Sequence, residues 1–470
     1  MSTECIQKTF EFKELGKRKV VSQFNGGTIS TDAGTLLLRE LENGRGILKQ
    51  FSKCFTDHRN RDTIEHSLEE LILQRVYGIA LGYENLNDHD SLRADPLLAI
   101  LCGKEDPSGQ NRRCQNDKGK ALAGKSTLNR LELTPSNATE KSRYKKIVYD
   151  GEKIEKFFVD NFLSSQDEIP EQIILDLDAT DDPLHGNQEG RFFHGYYKCY
   201  CYLPLYIFCG KQLLSARLRL SDIDGSAGSK EEVERIVKHV RQEWPEVRIV
   251  LRGDSGFARE ELMSWCETNS VDYIFGLSKN ARLISMIKSQ QEEARVEYEQ
   301  TKQSSRVFKD FTYRTLKSWS RERRVIGKAE YLAKGSNPRF VVTSLNQEEV
   351  DAKSLYEKEY CARGEMENRI KEQQLYLFAD RTSTETMRGN QLRLWFSSVA
   401  YVLLNELRRV GLRSTEFARA QCHTIRNKLL KIGAQIRIST RRIFISFANG
   451  YPYQNIFSHV YDNFRKAYPL

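Results

Sequence analysis

Residues 173–190, IILDLDATDDPLHGNQEG, begin as an apolar strand and end with Asp176, Asp178, Asp181 and Asp182 packed into one short run. Side chains alternate along a strand with period two, so Asp176 and Asp178 share a face. Two like charges on one face are unfavourable unless a cation neutralises them. A strand end leading into an Asx-type turn would explain such acids by itself, because Asp is common in turns. A second segment, VRIVLRGDSGF at 247–257, repeats the pattern: an apolar β-rich run whose end carries Asp254, followed by a Gly-containing turn. Mg²⁺ prefers a few carboxylates together with waters and phosphate oxygens, so two strand-end aspartates suit a phosphoryl-transfer centre.

The third acid is in EYCARGEMENRIKE, residues 359–372. Tyr360, Arg363, Glu367 and Lys371 fall at i, i+3, i+7 and i+11, which predicts one helix face along about 16 Å of axis. A solvated helix with ordinary ion pairs would look the same in isolation. Three acids in the order strand, strand, helix are less common by chance. A carboxylate with Arg and Lys beside it is what cutting a nucleic-acid backbone requires.

Around these segments the chain is long enough, at 470 residues with 39% hydrophobic and 29% charged, for two or more cored domains. A net charge of +9 points weakly to a polyanionic partner. The start, MSTECIQKTFEFKELGKRKV, mixes charges early and predicts no secretory leader. The ten cysteines lack CxxC pairs, which fits reduced thiols in a cytoplasmic protein. The longest apolar run, LWFSSVAYVLL at 394–404, is too short to span a bilayer and reads as a core helix.

The patterning predicts an α/β protein with four regions. Residues 1–165 read as a helical N-terminal domain, with HSLEELILQRVYGIALGY at 66–83 its clearest amphipathic segment. Residues 166–280 and 356–430 form a mixed-sheet core, interrupted by a β-rich insertion at 281–355; residues 431–470 are a basic hairpin, QIRIST with RIFISF, and a final helix. From Phe417 to Tyr461 there is no Asp or Glu, while Arg419, Arg426, Lys428, Lys431, Arg437, Arg441 and Arg442 are present, the best candidate for a backbone-binding surface. GKALAGKS at 119–126 matches a phosphate loop in letters, with Lys125 and Ser126 in the key places. A phosphate loop follows a buried strand, and this one follows NRRCQNDKGK, so ATP binding is not expected.

Nearly end to end, the chain resembles the DDE transposases of bacterial insertion sequences, in their DDE group 1 branch, relatives of cut-and-paste enzymes with a Tyr-Arg-Glu-Lys signature. The resemblance rests on FNGGTISTDAGTLLLREL, CFTDHRN, QRVYGIALGYENLNDHDSLRADPLLA, LAGKSTLNRLE, LDLDATDDPLHGNQEG, RGDSGF, YCARGEMENRIKE and DRTSTETMRGNQLRL. Lys371 departs from it, standing four residues after Glu367 where the superfamily spaces its lysine farther.

The resemblance implies an RNase H-like catalytic core in which Asp178, Asp254 and Glu367 hold two Mg²⁺ ions, replaceable by Mn²⁺. It places the first acid in the "DAT" triplet, hence Asp178, with Asp176 as second choice and Asp181 and Asp182 capping the following turn. His185 in the same loop would contact phosphate or orient a carboxylate. The N-terminal domain, residues 1–165, would bind DNA, Arg363, Lys371 and Tyr360 would bind it beside the cut, Trp319 in the insertion would stack on a base, and Arg437, Arg441 and Arg442 would track the backbone. The implied activity is cleavage of terminal inverted repeats and their joining to target DNA by a homodimer in the cytoplasm, at the nucleoid. The alternatives are a site-specific nuclease on the same scaffold and a domesticated DNA-binding protein without catalysis.

Overall fold

The strand 172–179 lies at the centre of the architecture because both of its faces are covered. In the computed structural model, which describes residues 8–469, this strand, β1 (Gln172–Ala179), turns Ile173, Leu175 and Leu177 into one apolar cluster. The helices Ser229–Glu243 and Glu260–Thr268 close that cluster through Val233, Ile236, Val237, Leu262 and Met263. On the opposite face Ile174 joins a smaller cluster built from Leu355 and Tyr356. A strand buried on both sides reads as a near-continuous apolar run, so the aspartates that break it stand out.

Seven longer strands share the sheet: β2 (Leu205–Cys209), β3 (Gln212–Arg217), β4 (Arg248–Gly253), β5 (Asp272–Leu277), β6 (Ser305–Tyr313), β7 (Arg323–Leu332) and β8 (Arg339–Thr343), with Gly335–Ser336 as a short addition beside β7. Their order is β3-β2-β1-β4-β5-β8-β7-β6. The strand β2 runs antiparallel to β1 and β3, while β4 runs parallel to β1 and β5. The two helices that cover the first cluster are the crossovers into β4 and β5.

The segment 281–355 does contain the expected strands, but it extends this sheet and does not form a separate insertion. Residues Ile274 to Leu277 of β5 pair antiparallel with Thr343 to Phe340 of β8. Without β8 the parallel half would expose a bare edge, and the fully apolar Phe340, Val341 and Val342 cover it.

Residues before 165 are mostly helical, as expected, yet they do not pack alone. The helices Leu68–Leu81 and Met387–Glu406 are both buried on nearly all sides over most of their length, and each covers the other in one continuous core. Buried Glu132 joins Arg75 and Arg393 across the same junction, at 2.6 and 2.7 Å. The run 394–404 is the buried centre of Met387–Glu406, and no helix among the described residues is long and apolar enough to cross a membrane. The terminal hairpin is present as Ala434–Ile438 against Ile443–Phe447, followed by the helix Gln454–Ala467, and it gains a third strand from Ile29–Ser30. Near the start, Phe10–Leu15 and Arg18–Ser22 form a hairpin where helix was expected, turned at Gly16 with φ 64°.

Candidate active site

The parallel register of β1 and β4 pairs Asp176 with Arg252 and Leu177 with Gly253. The next residues, Asp178 and Asp254, therefore emerge side by side from neighbouring strands on one sheet face. Each carboxylate is pinned locally. The Ala179 amide donates to Asp178 Oδ1 at 3.0 Å, and the Gly256 amide donates to Asp254 Oδ1 at 2.8 Å in an Asx turn.

Over the same face runs the helical stretch 352–376. Asp351 caps it by accepting from the Lys353 and Ser354 amides, both at 3.0 Å. Its turns are uneven: wide at Leu355–Tyr360, tight at Cys361–Arg363, regular at Gly364–Lys371 and wide again at Glu372–Tyr376. Wide turns in a helix often mark functional positions. The helix comes close to the sheet because Gly276 of β5 lies beneath it: a Cβ there would stand 2.5 Å from the Tyr360 hydroxyl and 2.9 Å from the Ser255 amide.

Arg363 occupies the space among the acids. Its Nη2 bonds Glu367 Oε1 at 2.8 Å and its Nη1 lies 3.7 Å from Asp178 Oδ2. Tyr360 is half-buried beside Asp254 and Arg363, and burial raises its phenol. Lys371 is exposed on the same helix. Burial raises the Asp178 carboxyl to about 7; Arg363 opposes this, and the neighbouring Asp254 and Glu367 reinforce it. The cluster thus carries more negative charge than Arg363 neutralises. Among the described residues no three acidic, His or Cys side chains are assembled to hold a metal ion, and Glu367 is engaged by Arg363.

This electrostatic state has a consequence for stability. A carboxyl raised above its ordinary 3.8 holds a proton in the folded protein that the unfolded chain releases, so stability falls as pH rises from about 4 to 7. Asp178→Asn should therefore match the parent near pH 4 and exceed it at pH 8 in metal-free buffer, by at most about 4 kcal/mol. Thermal melts across that range check it; parallel curves for the two proteins would count against a strained carboxylate at this position.

The other acid on the face is used differently. Asp176, 4% exposed, receives Arg252 in a two-pronged bond, Nε to Oδ1 at 2.6 Å and Nη2 to Oδ2 at 2.9 Å. Arg252 also donates to the Glu359 carbonyl, so it ties both strands to the residue preceding Tyr360. Sequence reasoning missed Arg252, although an arginine inside VRIVLRGD is itself a signal. The expected turn caps also differ. Asp182 is fully buried, accepts from Gln374 Nε2 at 3.0 Å, and is held well above the usual carboxylate range by that burial. His185 is exposed in the loop beyond it.

Three further expectations are sorted by burial. Trp319 is 4% exposed, edge-on to Tyr313 and 5.4 Å from the Arg323 guanidinium, so it is a core residue and not a stacking surface. Arg437, Arg441 and Arg442 are exposed at the hairpin's outer end. Arg426 and Lys431 from the same acid-free stretch are structural instead, bonding the Ala80 carbonyl at 2.7 Å and Asp32 at 2.8 Å. Lys125 opens the helix Lys125–Glu132 after a loop and bonds Asn87 and Asp90, at 3.1 and 3.4 Å, with no strand before it to form a phosphate cradle.

The family model described as Transposase DDE domain group 1 matches residues 12–469. No curated protein sequence matches the chain. Among solved structures, the cryo-EM structure of the piggyBac transposase synaptic complex with hairpin DNA is similar at 11% identity over 94% of this chain and 82% of that one, with a TM-score of 0.42.

Proposed function

Because the chain belongs to the transposase DDE domain group 1 family, we propose that it binds the terminal inverted repeats of its own insertion sequence, cuts them, and joins the ends to target DNA. The observation that carries this reading is the placement of Asp178 and Asp254 on adjacent parallel strand ends, with Glu367 brought over them by the helix across Gly276. The order β3-β2-β1-β4-β5, with β2 alone reversed, supports an RNase H-like core.

A set of carboxylates, one of them raised by burial and its acidic neighbours, fits a hard divalent cation, which would compensate the charge that Arg363 leaves over. Two Mg²⁺ ions at Asp178, Asp254 and Glu367, replaceable by Mn²⁺, would supply the Lewis acidity that phosphodiester hydrolysis and attack by a DNA 3′-hydroxyl both need. Glu367 becomes available when Arg363 leaves it for the scissile phosphate, an exchange of one anion for another that keeps the guanidinium paired. Tyr360, above Gly276, is placed to donate to the flanking strand, and exposed Lys371 to hold the next phosphate. Pairing two DNA ends implies a homodimer on DNA.

A labelled terminal-repeat fragment incubated with a target plasmid tests the proposal, because cleaved and joined products are read separately. Cleavage without joining would favour a nuclease; binding without either would favour a domesticated DNA-binding protein.

The exposed arginines give a second measurement. Changing Arg437, Arg441 and Arg442 together to Ala should weaken specific and unrelated duplexes alike, because phosphate contacts carry no sequence information. The slope of log affinity against log salt should become shallower by about 0.9 for each phosphate that the protein no longer neutralises. An unchanged slope would remove these residues from the DNA surface.

A further inference from the structure

The connection between β1 and β2 leaves the sheet at the end that bears Asp178. It folds into a small ribbon in which Cys199–Tyr202 pairs with Asp182–Pro183 on one side and Phe192–His194 on the other. Its base is clamped: Tyr202 donates to the Glu189 carbonyl, and Gln188 Nε2 donates to the Thr382 carbonyl at 3.1 Å. Its outer part is not covered. Phe192, Phe193, Tyr196 and Tyr200 are 48, 50, 83 and 42% exposed. Residues 191–202 contain no Asp or Glu, and Arg191, His194 and Lys198 are interspersed with the rings.

The rings are arranged in order. Phe193 and Tyr200 are paired across the ribbon with centroids 5.5 Å apart, edge to face. Arg191 extends the surface, with its guanidinium 4.1 Å from the Tyr200 ring and fixed by bonds to the Gly186 carbonyl and Asn187 Oδ1, both 2.8 Å. The tip turns back toward the acids: the Tyr197 hydroxyl donates to the Ala179 carbonyl at 3.4 Å, one residue from Asp178. An exposed surface of aromatic faces and cations with no acid among them, beside carboxylates, suits a ligand that offers both π-faces and phosphates. Bases in a duplex hide their faces in the stack, whereas unpaired bases present them.

Resting on the transposase reading above, we infer that Arg191, Phe193, Tyr196 and Tyr200 form a stacking platform for unpaired DNA bases flanking the scissile phosphate. Phe193 and Tyr200 stand at 75° to each other, so a base stacks on Phe193 while Tyr200, itself covered by Arg191, buttresses that ring; Arg191 holds the adjoining phosphate, and Tyr196 extends the platform at the tip. Stacking on aromatics is tolerant of sequence, so the platform sets where the strands part and not which repeat is read.

The test uses the full chain with two probes of arbitrary sequence: a blunt duplex, and the same duplex with an unpaired thymine tail containing one 2-aminopurine. Phe193→Ala with Tyr200→Ala should weaken the tailed probe roughly tenfold to a hundredfold and the blunt probe by no more than about twofold. Wild-type protein should quench the 2-aminopurine, the double variant should not, and Phe193→Tyr with Tyr200→Phe should restore quenching. Equal losses on both probes, or no loss on either, overturn the platform. So does a change in solution mass of the double variant, which would make the ribbon a contact between copies. If the wild type cuts and joins terminal repeats while these probes show no discrimination, only the platform fails; if it binds neither these probes nor terminal-repeat DNA, the transposase reading fails with it.

Discussion

Asp178→Asn, Asp254→Asn and Glu367→Gln proteins will each bind terminal-repeat DNA close to normally and neither cut nor join it. The loss in rate should be about three to six powers of ten, the scale seen when one member of a catalytic set is removed. The three acids sit in different elements, β1, the turn after β4 and the helix 352–376, and each amide is nearly isosteric with what it replaces. An unfolding explanation is therefore weak, and for Asp178 it runs the wrong way, since relieving its raised carboxyl stabilises the fold at neutral pH. A readout free of turnover accompanies the rate. Mn²⁺ should raise the melting temperature of the wild type by binding only the folded state, and each amide should diminish that rise. Full activity in Glu367→Gln would remove the helix from the site. A metal-induced shift unchanged in all three variants would remove the acids from the metal.

The ends of this site were legible in the sequence; their alignment was not. An apolar strand ending in an acid is a local pattern, which drew attention to the Asp176–Asp178 pair and to Asp254, with the choice of Asp178 resting on the family resemblance; Tyr360, Arg363 and Glu367 stood out because helical spacing is local too. Register and proximity are long-range properties. Nothing in 273–277 announces that Gly276 will lie under Tyr360, or that the strand 339–343 will complete the sheet instead of founding a domain. Trp319 misleads for a related reason. In LKSWSRERR it is surrounded by polar residues, but Arg323 is itself buried by Glu260 and Glu267, at 2.6 and 2.7 Å, and forms part of the wall around the indole. The ribbon aromatics were overlooked by the opposite error, because FFHGYYKCYCY has the composition of an ordinary buried strand.

The same limit explains why the choice between Asp176 and Asp178 could not be made from their spacing, and it leads to a test in which the two aspartates behave oppositely. Asp176 is buried and paired with Arg252; burial pushes its carboxyl up and the arginine opposes that rise. Removing one member of a buried pair strands the other. Arg252→Met should therefore cost about 3–5 kcal/mol and lower the melting temperature by several degrees. Asp176→Leu in the same chain should recover much of that stability, because two apolar side chains of similar volume replace a desolvated pair at little net cost. Activity should not recover with it. Arg252 also holds the Glu359 carbonyl, so the double variant frees the turn that carries Tyr360 and Arg363 even when the sheet is sound. We expect a stable protein with a depressed cleavage rate and near-normal DNA affinity, since positioning is lost and the DNA surface is not. Asp178→Asn gives the converse, a more stable protein at neutral pH with no chemistry. If Asp176→Asn were inactive at full stability while Asp178→Asn still cut DNA, the first acid of the site would be Asp176, and Arg252 would be a partner of the reacting phosphate and not a strut between the strands and the helix.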